Sequence, residues 1–580
     1  AAPLLAAAAE QRGLLADYAL YYLAVAEQAL GRDESARERF RDLSDRQPVG
    51  YLTEAAAFGE AEAHEALGDP ARAVAVYERL TTLKTAAPDD VLMRLAGAAK
   101  AAGALQKAAE ALARVHFEFP MGRFAAAATV EYSALPGVQP LAPGNQRYKL
   151  ELGRAQRLAG GRQWAQARTA FEQLQPHARG DDRELVTVRL AEADYFQRRY
   201  RAAADRLRPT LETASRRGEV LYYYAVSIRA LGRHSEYIGL ARRIVVELPI
   251  ESWAEEALNN LATHYIVADD DEKADQVFRE MYEKYPRGRY AERAAWKAGW
   301  WAFRTGRHAQ TVTYFERAAV DFPRSDYRPS WIYWAGRAHE ALGQRALAEA
   351  RFLLTATDYQ NSYYGRLAQS RLNDRRPEPR VLSEEAQPAA PPPPNELTVR
   401  ALLGIGRYQD ALNELAYARR QWGDTSMLQA TTAWASQQLG PSKTGTERFN
   451  LVRGGINTMR RAYPQFMAAG GEDLPRGVLT VIFPLMYADL IAKYSAENGV
   501  DPYLVAALMV QESTFVPDIR SSAGAVGLMQ LMPPTARRYT RGLKLTYSAS
   551  LLRNPEANVR IGTAYLADKI REFGAVHLAL

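Results

Sequence analysis

A short turn ending in glycine recurs through the first two thirds of the chain, each time between two apolar stretches of helical period. It reads Ala29-Leu30-Gly31, Ala66-Leu67-Gly68, Ala102-Gly103, Leu231-Gly232, Thr305-Gly306 and Leu342-Gly343. The steps from Gly31 to Gly68 and from Gly306 to Gly343 are 37 residues each, and that from Gly68 to Gly103 is 35. Tyr21, Leu23, Ala24 and Ala26 precede Gly31 at helical spacing, and Ala36, Phe40 and Leu43 follow it. Glycine suits the end of a helix because it takes the left-handed conformation without a Cβ penalty. Pro48, Pro88, Pro120, Pro249, Pro286 and Pro323 stand near the end of the second helix of most units, where the missing N–H stops it.

Helix, turn, helix and proline at a spacing of ~34–38 residues resembles tetratricopeptide-like repeats. Stacked helix pairs of this kind bury one continuous core and leave a concave face open to protein partners. Residues 1–373 are therefore expected to form an all-α superhelical solenoid. Pro136, Pro140 and Pro143 interrupt the register between Gly103 and Gly161 and predict a loop there. Asp269-Asp270-Asp271 falls where a repeat turn is due and lacks the spaced acids, central Gly and terminal Glu of a calcium loop, so it reads as a helix cap. Trp331, Tyr333, Trp334, Tyr359, Tyr363 and Tyr364 are expected to pack helix on helix rather than to stack on sugar rings.

Asp374 to Asn395 carries Pro377, Pro379, Pro388 and the run Pro391 to Pro394 and reads as an extended linker. A smaller helical block with a turn at Gly404-Ile405-Gly406 is expected over 396–474, and a last domain over 475–580. Composition narrows the chemistry. With no Cys there is no disulfide framework, thiol nucleophile or Cys-ligated zinc, and the 8 His never pair at i, i+4, so no metal and no cofactor are expected. The best apolar run, Val478 to Tyr487, contains Pro484 and falls short of the ~18 residues of a membrane helix. The net charge of +7 is interleaved with acids, and no basic run with interspersed aromatics points to nucleic acid. The chain starts Ala1-Ala2-Pro3 with no export signal, one having been removed or never present.

Asp501 as N-cap with Pro502 at the first helical position starts a helix through Glu512. Leu504, Leu508 and Glu512 recur at i, i+4 and i+8, with Val505 and Met509 beside them, which predicts a carboxyl projecting from an apolar stripe. Desolvation there would raise its pKa and suit it to general acid work. An exposed Glu at a fraying helix end fits the helix equally well. The next element, Ser521 to Pro533, is rich in turns. Its glycines allow close backbone approach to a ligand, and Gln530 offers a donor and an acceptor to an acetamido or hydroxyl group.

Together, Glu512-Ser513, the stretch Gly524-x-x-Gly527-Leu528-Met529-Gln530-x-Met532-Pro533-x-Thr535-Ala536 and the later Asn554-Pro555-Glu556-Ala557-Asn558-Val559-Arg560-Ile561-Gly562-Thr563-Ala564-Tyr565-Leu566 resemble the soluble lytic transglycosylases. So does Trp331-Ile332-Tyr333-Trp334 through Ser362-Tyr363-Tyr364-Gly365, which looks like the last turns of the large periplasmic members. The resemblance implies a U-shaped superhelix and a linker domain that close into a ring bearing an α-rich, lysozyme-like domain. It also implies export to the periplasm and cleavage of peptidoglycan. Glu512 falls on the family's acid/base glutamate, and Ser521, Gly527, Gln530 and Met532 on its substrate-contacting residues. Ser513, next to the glutamate, is expected to join them. The family's Ala-Tyr-Asn-Ala-Gly motif is expected directly after His577-Leu578-Ala579-Leu580, so the catalytic domain is read as truncated.

The implied reaction splits the bond between N-acetylmuramic acid and N-acetylglucosamine and closes the muramic C6 hydroxyl on C1, giving a 1,6-anhydro end without water. Between Asp518 and Glu556 there are no acids, only Arg520, Arg537, Arg538, Arg541, Lys544 and Arg553, which would favour anionic stem peptides. Asp518 is the one nearby second carboxylate and reads as structural. Two alternatives stay open: a hydrolytic, goose-lysozyme-like muramidase, and a repeat scaffold whose last domain only binds glycan.

Overall fold

The left-handed turns expected at the repeat glycines are present, with φ of +70° at Gly31, +74° at Gly68, +73° at Gly103, +80° at Gly232, +76° at Gly306 and +75° at Gly343. Each follows the last residues of a helix, as Gly306 follows Ala291–Arg304, and the next helix starts within two or three residues, here at His308. The computed structural model describes residues 2–11, 13–135, 138–372, 391–574 and 576. Over these the chain is helical from Ala2–Glu10 to Pro555–Phe573, with no β-strand and only two isolated bridges, Arg520 to Val526 and Val526 to Leu531. None of the described helices is long and apolar enough to cross a membrane.

The helix pairs are held by aromatic rings set against glycine. A Cβ on Gly299 would overlap the ring of Phe315, one on Gly336 the ring of Phe352, and one on Gly59 the ring of Phe40. Two further turns carry no glycine at the left-handed position, which Arg162 (φ 58°) and Arg198 (φ 61°) occupy instead. Asp269 takes the same conformation (φ 54°), and the Asp270 side chain accepts from the backbone N–H of Lys273 at 3.1 Å, so the triple aspartate caps a helix. Pro140 and Pro143 lie between the helices Ala125–Ser133 and Gln146–Gly160, while Pro136 lies outside the described residues. Trp331 and Tyr333 are buried in the helical packing and Tyr363 is exposed.

Two compact units account for the fold. Residues 64–83 and 87–380 form one, with a continuous core through Leu221, Leu258, Phe278, Phe315 and Trp331. Residues 1–63, 84–86 and 381–580 form the other, so the first helices pack with residues far along the chain. Most of the proline-rich 374–395 lies outside the described residues. The join inside the second unit is polar and buried. Glu414, on the helix Tyr408–Trp422, accepts from the Tyr18 hydroxyl at 2.8 Å, the Tyr51 N–H at 2.9 Å and the Asn395 amide at 2.7 Å. Asp410, one turn earlier, accepts from Tyr22 and Arg407, each at 2.7 Å, and Arg420 reaches Glu54 at 3.1 Å. Burial pushes the Glu414 carboxyl up, against the lowering effect of its three donors.

Candidate active site

The helix Pro502–Ser513 begins as its sequence dictates: the Asp501 carboxylate accepts from the N–H groups of Tyr503 at 2.7 Å and Leu504 at 3.4 Å, with Pro502 in the first turn. Its buried line is Val505, Ala506, Met509 and Ser513, packed on a core with Ile491, Phe515, Leu528 and Val559. Glu512 is exposed and stands one residue, about 100°, round the helix from Ser513. The expectation of a carboxyl sunk in an apolar stripe is therefore corrected. Val505 and Met509 set the phase of the helix, and Leu504 and Leu508 mark its half-buried flank, of which Glu512 is the open end.

Just past Glu512 the chain turns sharply. Thr514 (φ 51°) and Phe515 (φ 59°) are both left-handed, a conformation costing on the order of 1–3 kcal/mol for a residue with a side chain. It is held because Thr514, Phe515 and Val516 are buried and because the Thr514 and Phe515 N–H groups return to Val510 O at 3.1 Å and Met509 O at 3.4 Å. Ser513 departs from its expected substrate-binding role. It is fully buried, and its hydroxyl lies 2.7 Å from Leu528 O and 3.1 Å from Met509 O, so it ties the helix to the following turn and is closed to a ligand.

That turn is Gly527-Leu528-Met529-Gln530, between Val526 and Leu531, which exchange both backbone hydrogen bonds at 3.0 Å. Gly527 has φ +84°, and a Cβ there would overlap the Asn558 amide nitrogen and the Leu552 carbonyl oxygen, so only glycine fits. Gln530 is left-handed (φ 45°), half-buried, and donates its side-chain amide to Gly527 O at 3.0 Å. Ser521 is half-buried and its hydroxyl accepts from Ala525 N at 3.0 Å. Met532 is exposed and precedes the helix Pro533–Gly542. Of the five expected contact residues, Ser521, Gln530 and Met532 are thus within reach of solvent, while Gly527 and Ser513 act through the backbone they shape.

The residue that sequence reasoning passed over is Asn558, fully buried on the helix Pro555–Phe573. Its side-chain oxygen accepts from Met529 N at 2.8 Å, and its amide donates to Leu552 O at 2.8 Å and Val526 O at 3.1 Å. One side chain thereby clamps both ends of the turn. Three bonds on a side chain fully removed from water make it costly to replace.

Arg520, Arg537, Arg538, Arg541, Lys544 and Arg553 are all exposed, and none forms an ion pair within 4 Å among the described residues. The pKa of Glu556 is lowered by the Tyr494 hydroxyl at 2.6 Å and then by Lys493 at 3.2 Å. The Asp518 carboxylate lies 3.6 Å from the Cβ position of Gly445, at the start of the helix Gly445–Ala462, which favours an anion. The Glu512 carboxyl is thus open at the helix end, and its neighbour Ser513 is bonded to the rigid turn. The arrangement suits proton transfer by a single acid/base group, whereas ordinary glycosidases set two carboxyls ~5–9.5 Å apart.

Residues 489–580 match the Transglycosylase SLT domain family, and residues 18–48 a tetratricopeptide repeat. Over 275 residues the chain is 29% identical to the soluble lytic murein transglycosylase of Escherichia coli strain K12, a match covering 47% of this chain and 38% of that protein. The match thus spans less than half of the curated relative's own length. Among solved structures, the 70 kDa soluble lytic transglycosylase of Escherichia coli superposes with a TM-score of 0.56 at 16% identity, over 97% of this chain and 82% of that one. The lytic transglycosylase Slt of Pseudomonas aeruginosa, solved as an inactive glutamate-to-glutamine mutant, does so with a TM-score of 0.52 at 17% identity, over 97% and 83%. These likenesses show the fold: all-α, with tetratricopeptide-like helix pairs and a lysozyme-like domain.

Proposed function

We propose that this chain, whose residues 489–580 belong to the transglycosylase SLT domain family, is a lytic transglycosylase of peptidoglycan with Glu512 as its acid/base residue. In this reading the protonated Glu512 gives its proton to the glycosidic oxygen between N-acetylmuramic acid and N-acetylglucosamine, and the C1–O bond breaks. The resulting carboxylate takes the proton of the muramic C6 hydroxyl, whose oxygen bonds to C1. The proton returns to Glu512, no water is consumed and the product ends in 1,6-anhydro-N-acetylmuramic acid. An intramolecular hydroxyl already held near C1 needs no second carboxylate.

The observation that carries the reading is the single exposed carboxylate at the helix end, set against a turn locked by Gly527 and Asn558, with no acid between Asp518 and Glu556. In this reading Ser521, Gln530 and Met532 line the approach, Gly527 lets the turn pack closely on Asn558 and Leu552, and the exposed arginines meet the carboxylates of the stem peptides. The inactive glutamate-to-glutamine mutant of the Pseudomonas aeruginosa enzyme supports giving this role to a glutamate. The proposal places the protein in the periplasm and divides it into a repeat domain (1–373), a linker (374–395), a helical block (396–474) and a catalytic domain (475–580). The concave face of the repeats is left for protein partners.

The test is mass spectrometry of the products released from purified sacculi by the full-length protein and by Glu512→Gln. Anhydro-ended muropeptides from the wild type, reduced at least ~10²-fold in the variant, are expected. Products heavier by one water would make the enzyme a muramidase, and no product from either protein would leave a glycan-binding scaffold.

A further inference from the structure

The helix that carries Glu512 is completed by a residue outside the catalytic domain. A helix leaves its last carbonyls without intrahelical donors, and a left-handed turn satisfies some of them. Here the Thr514 and Phe515 N–H groups turn back to Val510 O and Met509 O, which leaves the Gln511 carbonyl with no backbone donor. The donor comes from Arg453, on the helix Gly445–Ala462 of the preceding helical block. Its guanidinium lies 3.1 Å from Gln511 O and 3.4 Å from Val510 O.

Three features make this more than a chance surface contact. Arg453 is half-buried and makes no ion pair among the described residues, so its charge is committed to these carbonyls. The guanidinium carbon stands 5.4 Å from the centre of the Phe449 ring, one turn earlier, which fixes its direction. The same helix meets the catalytic domain at a second point, where Gly445 faces the Asp518 carboxylate. The helix Gly445–Ala462 therefore touches the chain on both sides of the 512–517 turn. A cation on helix C-terminal carbonyls is favoured by the helix dipole, and charge-assisted bonds are the stronger kind.

We infer that Arg453 is a positioning residue for Glu512. The carbonyl it holds belongs to the planar peptide that also contains the Glu512 nitrogen and Cα, so fixing that oxygen fixes the plane from which the acid side chain departs. The inference rests on Glu512 being the acid/base group and adds that the helical block 396–474 takes part in catalysis without touching substrate. Misplacing an acid by about 1 Å is enough to cost ~10²-fold in rate.

The experiment uses the full-length protein and its Arg453→Ala and Arg453→Lys variants, with muropeptide release and amide hydrogen exchange as readouts. Arg453→Ala is expected to lower kcat by on the order of 10- to 100-fold with KM little changed. Arg453→Lys should recover part of the rate, as should free guanidinium ion added to Arg453→Ala. Exchange at Thr514 and Phe515 should be faster in Arg453→Ala. A wild-type kcat in Arg453→Ala overturns the inference while product from the wild type, lost in Glu512→Gln, keeps the reading of the site. Unchanged exchange at Thr514 and Phe515 overturns it whatever the enzyme makes. Absence of anhydro product from the wild type overturns the reading of Glu512, and the positioning role with it.

Discussion

The turn at Gly306 and the turn at Gly527 both place a glycine at positive φ, and they are built in opposite ways. At Gly306 every backbone partner lies within five residues: Gly306 N meets Phe303 O at 3.1 Å and Arg307 N meets Ala302 O at 2.8 Å. Nothing stands within 4 Å of the position a Cβ would take. At Gly527 the space is filled by Asn558 and Leu552, and the clamp from Asn558 to Met529 spans 29 positions. A repeat turn is thus a property of its own few residues, and it tolerates change because its surroundings are open. The site turn is held by a distant helix, with Gly527, Leu528 and Met529 buried and Gln530 half-buried at its edge.

The sharpest break of this contrast is a matched pair of alanines. Gly527→Ala meets both a strained φ and an occupied space, so it is expected to destabilise the catalytic domain by more than about 4 kcal/mol and to abolish turnover. Gly306→Ala meets only the strained φ and should cost about 1–2 kcal/mol with turnover unchanged. Denaturant unfolding followed by an activity assay separates the two, and equal losses would erase the distinction. Next comes Asn558→Leu, which strands Met529 N–H and the Leu552 carbonyl and leaves the Val526 carbonyl with Leu531 N–H alone; about 3–5 kcal/mol and most of the activity should go. Its local counterpart, Asp270→Ala, removes one helix cap for about 1 kcal/mol.

The smallest effect concerns Glu414. Its folded pKa is raised, so the folded state keeps a proton that the unfolded state has released above the ordinary value of 4.5. Stability is then greatest below that value and falls as pH rises through the folded pKa. Glu414→Gln, in which the Tyr18 hydroxyl can turn to accept, should flatten this fall of thermal stability above pH 4.5. A slope equal to that of the wild type would show that the buried carboxyl does not titrate in that window.

What could be read from the sequence follows the same division. The repeat glycines announce themselves because each turn is local, whereas Arg162 and Arg198 hide two turns of the same geometry behind residues that seldom take it. Glu512 could be located from its motif, yet its exposure could not. Leu504 and Leu508 have the same spacing as Val505 and Met509, and only partners such as Ile491 and Leu528 decide which line turns inward. Asn558 left one legible trace, a polar residue between Ala557 and Val559 on an inward-facing line, but a trace of burial does not name the three groups it binds. Arg453 left none, being one of several arginines on an amphipathic helix whose partners lie 57 and 58 positions away.

The join at Glu414 also sets an order of events in time. Tyr18 and Glu414 are separated by 396 positions. At ribosomal rates of about 5–20 residues per second, roughly 20–80 s pass between the emergence of one and the other. Throughout that interval Tyr18, Tyr22 and the Tyr51 amide wait without the carboxylates they will bind, while the later repeats can already stack on one another. Newly made first helices therefore spend much of synthesis as an unsealed edge. Holding an elongating chain before residue 414 and probing it with protease should find the first fifty residues cut well before the middle of the repeat array.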